Sequence, residues 1–118
     1  MLSPLREYLG PWGISGPARW VAQLALDNTE WQAQNRQRLY DDSARLAALL
    51  QGLGEVRRNP LFCYLVLHRA NDLAKFLARR GILVRFFAEP LALRFGLPNS
   101  ESAWEALTQA LEIWKKQC

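Results

Sequence analysis

The chain has 118 residues, half of them apolar, five tryptophans, and a formal charge of +4 from 15 basic and 11 acidic residues. That is enough chain for one globular domain with a real core, and it excludes a disordered or low-complexity polymer. No run approaches the roughly 20 apolar residues of a membrane span, and Met1-Leu2-Ser3-Pro4 does not open a secretory leader. The basic residues are scattered and form neither tail nor stripe, so neither a membrane nor a nucleic acid is expected as a partner.

Cys63 and Cys118 offer no disulfide or metal-ligand spacing, and two reduced thiols suit a cytoplasmic protein without a metal site. In chain order, residues 1–15 carry Pro4, Pro11 and Trp12 and read as a tail or linker ahead of a domain over 16–118. Ser15-Gly16-Pro17 joins a capping residue to a proline suited to a first helical turn, so a helix begins near residue 16. The pattern breaks at Asp27-Asn28-Thr29. Thr29 with Gln32 then reads as a capping box that starts a second helix over 30–52, with Trp31, Leu39, Leu46, Leu49 and Leu50 on one face and Gly52 or Gly54 as its stop. The Asp41-Asp42 pair falls on the solvated side.

Leu61–Leu67 is an unbroken apolar run after the Asn59-Pro60 turn signal, and it predicts a central strand buried on both faces. Asn71-Asp72 opens a short helix carrying Leu73, Phe76 and Leu77, which Gly81 stops after Arg79-Arg80. Gly81–Phe87 and Leu91–Pro98, on either side of a turn at Pro90, read as two short apolar strands each ending in an arginine, Arg85 and Arg94. Asn99-Ser100-Glu101 caps a last helix in which Trp104, Leu107, Leu111 and Trp114 recur every three or four residues. Two helices, then β, α, β, β, α, predict an α+β two-layer sandwich: a small, at least partly antiparallel sheet covered by helices on one face.

The two arginines carry the chemistry. A guanidinium at the end of a buried strand must be paired or hydrated, which makes it a poor core element and a good bidentate holder of a carboxylate or phosphate. Arg94 and Arg85 are therefore the candidate anion-binding residues, against the alternative that Arg94 makes a structural pair with a carboxylate such as Glu89 or Glu101. His68, the only histidine, has no nucleophile or carboxylate beside it in sequence and reads as a surface or helix-entry residue. No catalytic residue is expected in this chain.

Trp12-Gly13-Ile14-Ser15-Gly16-Pro17-Ala18, Gly81-Ile82-Leu83-Val84-Arg85 and above all Leu93-Arg94-Phe95-Gly96-Leu97-Pro98 resemble the C-terminal third of the threonine-phosphate decarboxylases of cobalamin biosynthesis. Those are pyridoxal-phosphate enzymes of the aspartate aminotransferase fold (fold type I), related to histidinol-phosphate aminotransferase. The resemblance implies a small domain that closes over a phosphorylated amino-acid substrate. In it Arg94 clamps the α-carboxylate, and Arg85 is a second arginine toward the anionic substrate. It also implies a large cofactor-binding domain as partner, a homo-oligomer, and residues 1–15 as the tail of that large domain. The Schiff-base lysine of such enzymes lies in the large domain, and Lys75, Lys115 and Lys116 are the only lysines here. The expectation is a fragment, inactive alone, with pyridoxal phosphate in the complete enzyme and none on this chain. The alternative is a free-standing anion-binding or interaction module without catalysis.

Overall fold

The computed structural model describes residues 13–117, so most of the expected tail over 1–15, with Trp12, and also Cys118 lie outside the described residues. The chain divides into two compact units, Met1–Asn35 and Arg36–Cys118.

In the first unit, α1 (Gly16–Asp27) starts where expected, with the Ser15 hydroxyl accepting from the Ala18 amide and Pro17 in the first turn. The next helix, α2 (Thr29–Leu50), is capped one residue earlier than the capping-box reading. Asn28 Oδ1 accepts from the Trp31 amide at 2.9 Å. Gln32 does not close a box on Thr29; its Nε2 donates to the carbonyls of Ala25 and Leu26 at 3.1 and 2.7 Å. Carbonyls left open at the end of α1 are the stronger claim on that amide.

The second unit holds the rest of α2, four strands and two further helices: β1 (Glu55–Asn59), β2 (Phe62–Val66), α3 (Ala70–Ala78), β3 (Arg85–Phe87), β4 (Ala92–Gly96) and α4 (Glu101–Lys116). Gly52, at φ +82°, ends α2. Gly54 serves a different end: a Cβ there would run into the carbonyl oxygen of Val66, so only glycine lets the chain turn into β1 at that distance. β1 was not expected, because Glu-Val-Arg-Arg-Asn has neither an apolar run nor alternation; it is an edge strand whose side chains are mostly exposed.

The sheet order is β1-β2-β4-β3, antiparallel throughout, with Cys63 opposite Phe95, Leu65 opposite Leu93 and Tyr64 opposite Arg94. Among the described residues of this unit, helices cover one face. Cys63, Leu65, Leu93 and Phe95 point into a single core with Leu46 and Leu50 of α2, Leu73 and Leu77 of α3, and Trp104, Leu107, Leu111 and Trp114 of α4. This is the α+β two-layer sandwich. It also corrects the reading of β2 as buried on both faces: Cys63 and Leu65 are buried, whereas Phe62, Tyr64 and Val66 on the open face are half-buried. Side chains alternate across a strand, and nothing among the described residues of this unit seals the second face.

The arginine-terminated strands are corrected too. Pairing begins at Arg85 and does not end there, and Arg94 is the middle residue of β4. Ile82 is engaged upstream, its amide donating to the Leu77 carbonyl in the turn that closes α3 at Gly81, so residues 82–84 are an unpaired lead-in. α4 begins as expected, with Ser100 Oγ accepting from the Ala103 amide. Among the described residues, no helix is long and apolar enough to cross a membrane, and no group of three metal-ligating side chains comes together.

Candidate anion-binding site

The open face of the sheet reads off the pairing register. Arg57, Tyr64, Arg94 and Arg85 form one row straight across all four strands. Period-two alternation puts Phe62 and Val66 of β2, Ala92 and Gly96 of β4, and Phe87 of β3 on the same face.

Both predicted arginines therefore lie side by side on the face away from the core, in directly opposed positions of the β3–β4 pair. Arg94 is half-buried and Arg85 exposed. Neither makes an ion pair among the described residues. The structural pair considered for Arg94 does not form with Glu101, which is held at 2.8 and 2.9 Å in a bidentate bridge by Arg45. Arg57, at the far end of the row, is different. Its Nε donates to Glu55 at 2.7 Å, a contact that holds the Glu55 carboxyl below its usual range and raises the guanidinium.

Aromatic rings complete the site. The Arg94 guanidinium carbon lies 5.4 Å from the centroid of Phe62 and that of Arg85 lies 5.3 Å from Phe87, while Tyr64 and Phe87 meet at 5.4 Å. Reading the sequence for charge alone missed Phe62, Tyr64, Phe87 and Arg57. The alternation Phe62-Cys63-Tyr64-Leu65-Val66 was the available signal, since it puts two rings on the face opposite Cys63 and Leu65.

The remaining candidates fall outside this site. His68 is exposed, in the turn after β2, at the rim of an apolar cleft of about 410 Å³ lined by Leu53, Val66 and Leu91 among others. Asp42 pairs with Arg38 at 3.1 Å and Asp41 accepts from Gln37, as a solvated helix face does. Lys75 and Lys116 are exposed. The Lys115 Nζ donates to the Leu49 and Gln51 carbonyls at 3.1 Å each, beside the C-terminus of α2. No lysine here has the desolvated setting that an internal aldimine needs.

No family model matches the chain. Threonine-phosphate decarboxylase of Pseudomonas aeruginosa is 47% identical over 118 residues, 98% of this chain and 36% of that protein. Histidinol-phosphate aminotransferase 1 of Archaeoglobus fulgidus is 32% identical over 85 residues, 72% of this chain and 27% of that protein. Two structures of ornithine aminotransferase from Toxoplasma gondii superpose with a TM-score of 0.55 each, at 20 and 21% identity. They align with 75 and 90% of this chain and 24 and 30% of theirs. This chain is similar in sequence to a threonine-phosphate decarboxylase and a histidinol-phosphate aminotransferase, and in fold to an ornithine aminotransferase. Its sandwich is a fold found within those larger pyridoxal-phosphate enzymes, and the chain spans about a third of the length of the curated relatives it matches. The sequence likeness runs through both units, since the longest alignment takes in 98% of the chain.

Proposed function

We propose that this chain is the substrate-clamping small domain of a pyridoxal-phosphate-dependent lyase or aminotransferase resembling threonine-phosphate decarboxylase. Arg94 holds the carboxylate of a phosphorylated amino acid and Arg85 its second anionic group. One observation carries the reading: two arginines stand directly opposite each other on the open sheet face with no carboxylate paired to either among the described residues. Like charges in that relation destabilise a sheet, by about 0.2–1 kcal/mol for an ordinary cross-strand pair, and an anion between them offsets that cost. A planar, forked guanidinium also fixes the plane of a carboxylate, which a reaction that must align one bond of the substrate requires and a lysine would not supply.

In this reading residues 1–15 lead from a large domain that supplies the cofactor and its lysine, and 16–118 contribute binding and orientation only. The test is calorimetric titration of the full chain with O-phospho-L-threonine. Binding that Arg94→Ala abolishes and Arg94→Lys fails to restore is the expected result. Equal binding by wild type and Arg94→Ala would sink the clamp. In an enzyme rebuilt with a large domain, losing Arg94 should cost about 2–5 kcal/mol of substrate binding.

A further inference from the structure

Resting on that clamp reading, we infer that Phe62 and Phe87 are positioning residues for the two arginines, each holding one guanidinium by its face so that the N–H edge is presented to an anion before the anion arrives.

The distances put both pairs inside the range of a cation–π contact, 5.4 Å for Arg94 over Phe62 and 5.3 Å for Arg85 over Phe87. The choice of partner matters. A carboxylate would neutralise the arginine by occupying the same in-plane donors that a ligand needs, whereas a ring takes the face and leaves the fork open. The two rings also lie in opposite directions from the arginine row. Phe62 is opposite Gly96, on one side of Arg94, and Phe87 is opposite Ala92, on the other. Each like charge thus has its own ring on its own side.

β4 is built to leave room for this. Its open-face residues are Ala92, Arg94 and Gly96, so no large side chain competes with either ring. Gly96 has no backbone reason to be glycine: its φ is not positive, and a Cβ added there would meet nothing within 4 Å. As the cross-strand partner of Phe62, it leaves the open face beside that ring unfilled. Tyr64 of β2, tilted at 57° against Phe87, supports that ring from across β4.

The experiment uses the full chain with O-phospho-L-threonine as probe and two readouts: affinity by calorimetry, and the Arg94 Nε–H resonance by NMR without ligand. Phe62→Leu should remove the ring-current shift of Arg94 and weaken binding roughly two- to fivefold, the range of an exposed cation–π contact, and Phe62→Tyr should restore both. Gly96→Leu, which leaves Phe62 intact and fills the space beside it, should have the same effect and serves if Phe62→Leu does not fold. An Arg94 resonance indifferent to Phe62→Leu, or a lost shift with unchanged affinity, overturns the positioning role. Arg94→Ala separates the two claims. If it abolishes binding while Phe62→Leu and Gly96→Leu bind as wild type, the clamp stands and the positioning role fails; if it binds as wild type, both fail.

Discussion

Arg85 and Arg94 are direct cross-strand partners on the open face of the sheet, two positive charges one strand apart. The packing of the domain does not need them there: the buried core lies on the other face, and Arg85 is exposed. On the clamp reading, a surface that keeps such a pair gives up stability for recognition.

It follows that removing one of them should stabilise the chain when no anion is present. Arg85→Ala is expected to raise the unfolding free energy by a few tenths of a kcal/mol, up to about 1 kcal/mol, in low-salt buffer free of phosphate. Urea unfolding checks this, and added salt should narrow the gap by screening the wild-type repulsion. A lower midpoint for Arg85→Ala at low salt would mean that the pair is not repulsive.

Gly54→Ala should be among the most damaging single-methyl changes in the chain. The new carbon meets backbone, the Val66 carbonyl, which cannot swing away without breaking the β1–β2 and β2–β4 ladders. A loss of about 1–3 kcal/mol is expected, in the range of overpacking. Gly96→Ala, in open space, should cost little by comparison. Equal costs for the two would contradict the close approach.

The Arg45–Glu101 bridge makes part of the acid sensitivity. The hydrogen bond from Arg45 holds the Glu101 carboxyl below its usual 4.5, so this contribution to stability is present above that pH and is lost as pH falls through the folded-state value. Both side chains are largely exposed, which keeps the effect small. Glu101→Gln should therefore narrow the difference in urea midpoint between pH 6 and pH 3. An unchanged difference would assign the acid response to other carboxylates, Glu55 beside Arg57 first.

Cys63 should be inert in the native protein. It is fully buried, its Sγ faces the Ser43 carbonyl at 3.7 Å, and burial pushes its thiol up, away from the reactive thiolate. Peptide mapping after alkylation at pH 8 should find Cys63 unmodified in native protein and modified in urea. Labelling of Cys63 at the native rate of a free thiol would mean that the sheet opens readily.

Local signals were legible without the fold. Ser15 and Ser100 as caps, Gly52 and Gly81 as stops, and the spacing of Trp104, Leu107, Leu111 and Trp114 depend on hydrogen bonds and periodicities within a few residues. The choice of Arg85 and Arg94 as candidate anion ligands rested likewise on residue chemistry alone. Where reading failed, the deciding partner was distant. Gln32 turned to carbonyls of the preceding helix, and β1 became a strand only because β2 offered it an edge.

The sequence by itself determined which segments could be helix or strand, and which side chains could hold an anion, since both follow from local geometry and functional-group chemistry. Only the tertiary structure decided that the two arginines stand opposite each other, that Phe62 and Phe87 flank them, and that Glu101 is committed elsewhere. The strand order β1-β2-β4-β3 joins residues far apart in the chain. A one-residue change in that register would send every one of those side chains to the other face.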